Sequence, residues 1–171
     1  PAVFVSPAAG SPCLFGLLHP AIYLTPVADA DETARRHCLA HEQTHFRHGD
    51  HIWSALRCMC LALHWFDPFV WWAAALSRTD AELACDAAAV QSLGEAERAA
   101  YGRTLLRMTC HTHARLLSAA TTMSGRGGQL RARIHALAKP VKPALPALLT
   151  AVLIAAFAAG CTMTGSVAQE T

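Results

Sequence analysis

One predicted helix most restricts how this chain can fold. Acidic residues at positions 29–32 supply an N-cap and negative charge for its first turn, and Gly49 ends it, so the sequence predicts a helix from about residue 32 to residue 47. Residues four apart share one face of a helix, and His41 and His45 therefore present two imidazoles side by side. Such a pair suits a tetrahedral Zn²⁺ ion, and we predict a metal site at this face.

Glu42, which lies between the two histidines in sequence, is the expected general base. Its carboxylate lies beside the metal face, where it can accept a proton from a water molecule and later pass that proton to a leaving amine. A zinc ion would supply the Lewis acidity that peptide hydrolysis requires. The motif therefore predicts a zinc peptidase in which Glu42 is the catalytic residue.

A third protein ligand has to come from a second element, and two candidates exist. Glu82 and Asp86 share a helical face, so Glu82 can bind zinc while Asp86 accepts the N–H of a ligand histidine, which is the gluzincin arrangement. His51 follows His45 at metzincin ligand spacing, but His48 stands where metzincins need a glycine. We therefore predict Glu82 as the third metal ligand and Asp86 as the residue that orients a ligand histidine.

The regions around the motif predict a small sheet and several helices. Short β-prone runs separated by Pro and Gly occupy residues 2–26 and predict a small sheet or hairpin. Apolar stretches at 52–63 and 69–76 predict a helical hairpin that packs in the core or dips into a membrane interface, since each is shorter than the ~20 residues that span a bilayer. Asp80 is the expected N-cap of the next helix, and another is expected from about residue 95 to residue 118.

Two tyrosines are candidates for a role in substrate binding or catalysis. Tyr23 and Tyr101 are the only tyrosines, and zinc peptidases often use a tyrosine to stabilise the oxyanion; the sequence leaves both open. The strand that contains Tyr23 is also a candidate edge strand along which an extended peptide could dock.

The C-terminal part of the chain contains a long uncharged segment. No residue between Lys142 and Glu170 is charged, and Ala, Leu, Val and Ile dominate residues 144–164, which predicts a transmembrane helix; a buried Ala-rich helix is the alternative. Basic residues precede the segment, so by the positive-inside tendency we expect residues 1–140 to be a cytoplasmic zinc metallopeptidase domain. Residues 165–171 would form a short extracytoplasmic tail.

Bulk composition is typical of a membrane protein. Hydrophobic residues make up 53% of the chain and charged residues 15%, against about 45–50% and 25% in soluble domains. The net charge is only +2 and the basic residues are dispersed, so we expect no direct nucleic-acid binding. The seven cysteines form no C-x-x-C pair and are expected to be reduced. Because the chain starts at Pro1 without a signal peptide, we expect a fragment that lacks upstream transmembrane helices.

Three blocks follow one another along the chain: Arg36 to His51, which contains both histidines of the motif; His64 to Trp71; and Glu82 to Asp86. Together they resemble the BlaR/MecR-type family of membrane zinc metallopeptidases, and further matches extend the resemblance over most of residues 3–160. The resemblance implies a gluzincin-like cytoplasmic peptidase domain between transmembrane helices. Asp67 stands where the family usually has Asn, and a buried charge there would cost desolvation energy unless it is paired.

The best-known members of that family sense β-lactams through an extracellular penicillin-binding domain, and their activation leads to loss of a cytoplasmic DNA-binding repressor. Only residues 165–171 follow the predicted membrane helix here, so we expect no such sensor in this chain. The expected fold is α+β and mostly helical: a gluzincin-like zinc peptidase domain with a small N-terminal sheet and a C-terminal transmembrane helix.

The expected function is that of a zinc endopeptidase tethered to the cell (inner) membrane and in contact with its lipids. It would cut a cytoplasmic protein, such as a repressor, or its own chain in signal transduction. The alternative is a non-catalytic membrane signalling or scaffold module with a structural zinc site. Structural sites usually have four protein ligands, whereas this sequence offers three, and that difference favours the enzyme.

Overall fold

Three short strands form a sheet at the start of the chain. The computed structural model describes residues 1–116 and 125–139. The strands are β1 (Ala2–Val5), β2 (Cys13–Phe15) and β3 (Ala21–Leu24), in the order β1-β3-β2. β3 is parallel to β1 and antiparallel to β2. The small sheet confirms the prediction from the β-prone runs.

The strand that contains Tyr23 is central rather than an edge. In the register of the sheet, Tyr23 lies opposite Phe4 on one side and Cys13 on the other. The expectation that a peptide docks along this strand is therefore wrong, because both of its sides are already paired within the sheet. The edges of the sheet are β1 and β2.

Helices make up most of the remaining described residues. They are α1 (Pro26–Asp29), α2 (Glu32–His48), α3 (Asp50–Leu63), α4 (Pro68–Leu93), α5 (Arg98–Leu116) and α6 (Gly125–Ala138), with a 3₁₀ turn at Glu95–Glu97 between α4 and α5. The fold of the described residues is thus α+β and mostly helical, as predicted.

Both ends of α2 are formed by the residues that the sequence singled out. Asp31 accepts hydrogen bonds from the backbone N–H groups of Thr33 and Ala34, and so satisfies donors that the first turn leaves free. Gly49 ends the helix in the left-handed conformation at φ 70°, where its N–H donates to the Phe46 carbonyl. The helix that carries the metal motif therefore has defined ends on both sides.

The predicted helix break at Asp80 does not occur. α4 runs without interruption from Pro68 to Leu93, which places Asp80 in mid-helix. The polar residues around Asp80 interrupt the apolar pattern but include no Gly or Pro, so nothing in the backbone stops the helix. Asp67 is the actual N-cap, and its carboxylate accepts from the Phe69 N–H at 2.8 Å. The Asp67 carboxylate is therefore paired with a backbone donor.

Two clusters of buried side chains anchor α2. Cys38 belongs to one cluster, and Ala40 packs against the other. The first joins α2 to β3 and α1, and the second joins α4, α5 and α6; their members are Ile22, Leu24, Ala28 and Cys38, and Ala89, Val90, Tyr101 and Leu137. Complete burial of a side chain such as Val90 contributes about 1.5–3 kcal/mol. These clusters hold the metal motif against α4 and α5.

The turn between α3 and α4 is an exposed apolar tip, which we call the hairpin tip and define as Trp65, Phe66, Phe69 and Trp72. Their side chains are 71%, 69%, 74% and 65% exposed. The sequence analysis expected this hairpin either to pack in the core or to dip into a membrane interface. In the structure the tip does not pack in the core. Within the described ranges, no helix is both long and apolar enough to cross a bilayer. The predicted transmembrane helix at 144–164 and the tail at 165–171 lie outside those ranges.

Candidate metal centre

Three donor side chains converge where α2 faces α4. His41 and His45 direct their Nε2 atoms at each other across 3.0 Å. Glu82 of α4 places Oε2 3.5 Å from the Nε2 of His41 and Oε1 3.8 Å from the Nε2 of His45. The structure therefore brings together the three residues that the sequence offered as metal ligands.

The donor set fits a zinc ion. Zinc takes imidazole nitrogen and carboxylate oxygen at ~2.0–2.2 Å, which in a tetrahedral site separates the ligand atoms by roughly 3.3 Å. The three observed separations, from 3.0 to 3.8 Å, bracket that value. Two imidazoles and one carboxylate also match the donor types of a catalytic zinc site, which keeps one position for water or substrate.

The other ring nitrogen of His41 contacts two partners. Its Nδ1 lies 3.2 Å from Asp86 Oδ1 and 2.9 Å from the hydroxyl oxygen of Tyr101, and that hydroxyl donates to Asp86 at 2.7 Å. Burial lowers the pKa of His41, but the contacts with Asp86 and Glu82 outweigh it and raise the pKa to about 9. A proton held at Nδ1 leaves Nε2 free for a metal, so Asp86 orients His41 in the way the helical spacing predicted.

The two tyrosines have different positions. Tyr101 is buried behind His41, on the Nδ1 side. Tyr23 lies in the sheet, where its ring stacks on Phe4. Burial and the Asp86 carboxylate raise the pKa of the Tyr101 hydroxyl, which therefore stays protonated as a donor. The geometry supports a positioning role for Tyr101.

Asp50 contacts the Nδ1 of His45, just as Asp86 contacts the Nδ1 of His41. Its Oδ2 lies 2.6 Å from the Nδ1 of His45. Asp50 is the first residue of α3, and the left-handed turn at Gly49 brings it back against α2. The sequence analysis gave Asp50 no role, although a carboxylate just after the glycine that ends the motif helix was a usable signal.

Arg133 is a second residue that sequence reasoning missed. It lies on α6 and donates through Nε and Nη2 to both oxygens of Asp86, at 2.6 and 2.7 Å, while its Nη1 lies 2.8 Å from Glu82 Oε2. Burial raises the pKa of both carboxyls, but Arg133 and His41 together hold the pKa of each below its ordinary value. The sequence analysis gave Arg133 no role at the metal centre.

A cleft of about 540 Å³ opens onto this centre. Glu42, only 6% exposed, lines it next to the donor atoms, and Cys13 and Leu14 of β2 line it as well. Burial raises the pKa of the Cys13 thiol, and the Glu42 carboxylate, which lines the same cleft, raises it further. The predicted general base thus lines the same cleft as the three donor residues and the edge strand β2.

His51, the alternative third ligand, is not part of the donor group. Its ring stacks on Phe46 with the centroids 5.9 Å apart. Among the described residues, one group of possible metal ligands contains both motif histidines. It consists of His41, His45 and Glu82, whose ligand atoms all lie within 4.8 Å of one another. The structure therefore groups Glu82, and not His51, with the two motif histidines.

Comparison with known proteins agrees with this geometry. The family model described as BlaR1 peptidase M56 matches residues 1–137, which include every residue of the metal centre. The chain is also similar to the regulatory protein BlaR1 of Bacillus licheniformis, with 28% identity over 162 residues that cover 91% of this chain and 27% of that protein. The chain thus spans about a quarter of the relative's length. No solved structure gives a significant match. The chain belongs to the M56 family of BlaR1-type peptidases.

Proposed function

We propose that this chain is a membrane-tethered zinc endopeptidase that cuts a cytoplasmic protein, such as a repressor, or its own chain in signal transduction. The observation that carries the proposal is the position of Glu42, buried in the same cleft onto which His41, His45 and Glu82 converge. A zinc ion bound by those three residues supplies the Lewis acidity that activates water and polarises a peptide carbonyl.

Glu42 performs the proton transfers in this proposal. Glu42 is only 6% exposed and lines the cleft, where its carboxylate would meet a water molecule held beside the ligands. It accepts a proton as that water attacks the peptide carbonyl, and it returns the proton to the leaving amine. General acid–base catalysis of this kind contributes typically about 10²–10⁴-fold to a rate.

The surrounding residues keep the ligands in place. Asp86 and Asp50 each contact the Nδ1 of one ligand histidine, which fixes the ring that must point its Nε2 at the metal. Arg133 holds Asp86 and Glu82 in one arrangement. None of the donors therefore has to reorganise when substrate binds, which lowers the cost of reaching the transition state.

The substrate is proposed to be an extended protein segment that adds to β2. β2 pairs with β3 on one side, and as an edge strand it has a second side free of partners within the three-stranded sheet. Cys13 and Leu14 line the cleft beside Glu42. A peptide that hydrogen-bonds to this edge would lie across the metal centre, because main-chain pairing aligns an extended chain with the strand.

Two apolar regions support a location at the cell membrane. One is residues 144–164, whose composition is that of a transmembrane helix. The other is the hairpin tip, where exposed Trp side chains have the amphipathic character found at membrane interfaces and exposed Phe side chains add apolar surface. By the positive-inside tendency, the peptidase domain would lie on the cytoplasmic side.

A signalling scaffold with a structural zinc site is the alternative, and two features disfavour it. Structural sites usually close zinc with four protein ligands, whereas the group of donors around His41 and His45 has three. A buried carboxylate beside an open cleft has no use in a purely structural site.

The test of the proposal compares three versions of the full chain, purified in detergent and loaded with zinc. Wild type, Glu42→Gln and Gln43→Ala are incubated with fluorescent casein, and the chain itself is monitored by mass spectrometry for self-cleavage. Gln43 is exposed on the same helix and serves as the matched control. We expect Glu42→Gln to bind zinc normally but to lose at least about 10²-fold in cleavage rate. Equal rates in all three versions would refute the proposed mechanism.

A further inference from the structure

We propose that Arg57 of α3 and Arg78 of α4 form a subsite for the side-chain carboxylate of a bound peptide, so that the chain selects acidic protein segments. Both arginines line the cleft that opens onto the metal centre. The subsite rests on the proposed function, because it would bind the substrate of that same centre.

Helix periodicity explains why both arginines face the cleft. Arg78 precedes Glu82 by one turn of α4, so the two side chains share a face. Arg57 follows Asp50 by two turns of α3, and Ser54, which lies between them on the same face, also lines the cleft. The two helices thus form one wall of the cleft, with the arginines on the side away from the metal donors.

The guanidinium of Arg57 has few partners. Its Nη1 donates to the Oγ of Ser77 at 3.2 Å, whereas its Nε is buried without an acceptor. A buried N–H group without an acceptor is uncommon in folded proteins and costs free energy. The Ser77 hydroxyl carries no charge, so Arg57 has no counterion among the residues that the structure describes.

Arg78 is exposed and likewise has no carboxylate partner within residues 1–116 and 125–139. Two carboxylates nearer the metal already have partners of their own. Asp50 contacts His45, and Glu82 contacts Arg133. Two positive charges therefore remain uncompensated on this wall of the cleft. A carboxylate supplies both the hydrogen-bond acceptors and the negative charge that the two guanidiniums lack.

Helix geometry also indicates which residue of the peptide would bind there. Arg78 lies about 6 Å along α4 from Glu82, and Arg57 lies about 10 Å along α3 from Asp50. An extended peptide advances about 3.3 Å per residue. We therefore expect the acidic residue two or three positions from the bond that the metal centre cuts.

A free C-terminus is another source of a carboxylate. The proposed endopeptidase cuts within a protein chain, which continues past the subsite in both directions. The carboxylate in the subsite is therefore that of an Asp or Glu side chain.

The test measures peptide binding rather than cleavage. The full chain with Glu42→Gln, loaded with zinc in detergent, is mixed with N-acetylated, C-amidated decapeptides that carry Glu, Gln or Lys at one fixed position and mixed residues elsewhere. Bound peptides are separated by gel filtration and counted by mass spectrometry. We expect Glu peptides to be enriched at least about fivefold over Gln peptides, because two charge pairs form.

Variants in the same Glu42→Gln chain assign the enrichment to the arginines. Arg57→Gln/Arg78→Gln should abolish it, and Arg57→Gln/Arg78→Glu should favour Lys peptides instead. Arg78→Gln alone, at an exposed position where the core is undisturbed, should reduce it at least about twofold. Arg103→Gln removes an exposed charge of α5 that does not line the cleft and should keep it unchanged.

Three results would overturn the subsite. The first is equal binding of Glu and Gln peptides by the chain with both arginines. The second is a Glu preference that persists in Arg57→Gln/Arg78→Gln, since the acid would then bind the zinc ion. In the third, Gln peptides with a free C-terminus bind as well as amidated Glu peptides, which would assign the arginines to a chain terminus.

The binding readout separates this subsite from catalysis. A wild-type chain without peptidase activity, together with a Glu preference that depends on the arginines, would refute the proposed function and leave the acid-binding cleft standing. A wild-type chain that cleaves casein while the Glu preference is absent would reject the subsite alone.

Discussion

Arg133 Nη1 lies 2.8 Å from Glu82 Oε2, so a guanidinium on α6 neutralises the carboxylate proposed as the third zinc ligand. The same side chain donates to both oxygens of Asp86. Glu82 and Asp86 are one helical turn apart on α4, and the planar fork of an arginine can hold both at once. One residue of α6 thus positions both the third ligand and the carboxylate behind His41.

Replacement of Arg133 by alanine should weaken zinc binding about 10–100-fold, because Glu82 and Asp86 would lose the donor that aligns them. It should also cost about 3–5 kcal/mol of stability, since two largely buried carboxylates would be left without their cation. Chelator competition measures the first effect and urea unfolding the second. Arg131→Ala, at an exposed position on the same helix, is the control and should change neither. Unchanged zinc affinity in Arg133→Ala would show that Arg133 is purely structural.

Tyr101→Phe separates a positioning role from an oxyanion role. The hydroxyl donates to Asp86 and lies 2.9 Å from the Nδ1 of His41, so its removal should weaken zinc binding about tenfold. With zinc restored to saturation, kcat should return to near the wild-type value. A direct oxyanion donor would behave in the opposite way, with a kcat loss of about 10²–10³-fold at full zinc occupancy. A kcat loss of that size would show that Tyr101 stabilises the oxyanion directly.

Zinc affinity should depend on pH through His41. The contacts with Asp86 and Glu82 overcome the effect of burial and raise the pKa of His41 in the metal-free protein to about 9. Zinc needs the neutral imidazole, so below that pKa it must displace a proton, and its affinity should rise up to about tenfold per pH unit until about pH 9. Isothermal titration in two buffers measures the released proton.

Asp86→Asn is the variant that checks this assignment. Loss of the carboxylate removes a contact that raises the pKa of His41, so the pH at which zinc affinity levels off should move down. Glu97→Gln alters a carboxylate that contacts His37 instead and should leave the profile where it was. A profile that is flat between about pH 7 and about pH 9 in wild type would contradict the prediction.

The residues of the metal centre that could be predicted from the sequence are those marked by a pattern within a few neighbouring residues. His41, His45 and their helix follow from capping residues and a spacing of four, and Glu82 and Asp86 share a face for the same reason. Such local patterns also led to one wrong prediction, the helix break within α4. The polar interruption near Asp80 resembles a helix start, and only packing shows that α4 continues through it.

The missed parts depend on contacts between distant segments. Arg133 lies 47 residues from Asp86, and no local pattern distinguishes it from the neighbouring basic residues. The central position of β3 likewise results from the direct parallel pairing of β1 with β3, although β2 lies between them in sequence, and the sequence of either strand alone does not encode this pairing. Ion pairs and strand pairs between residues far apart in sequence are therefore the features that only the structure reveals, whereas helix periodicity predicts the local ones.

Gly49→Ala tests the turn that joins α2 to α3. Gly49 adopts φ 70°, and an added Cβ would meet no atom within 4 Å, so the expected cost comes from the backbone alone, about 1–2 kcal/mol. Gly49→Asn should cost less, since Asn tolerates the left-handed conformation. Thermal unfolding of the metal-free protein measures both. Equal stability of wild type and the alanine variant would mean that the turn relaxes to another conformation.

The hairpin tip should penetrate the lipid interface while the start of α3 stays outside it. Trp65 is at the tip, whereas Trp53 lies 12 residues earlier, about 16–18 Å along α3. Two variants of the full chain, each keeping only one of these tryptophans and phenylalanine at the other positions, are reconstituted in vesicles that contain brominated lipids. Bromine quenches nearby indoles, so fluorescence from the Trp65 variant should fall at least twice as much as that from the Trp53 variant. Equal quenching of the two would reject insertion by the tip, and negligible quenching of both would show that this hairpin does not touch the bilayer.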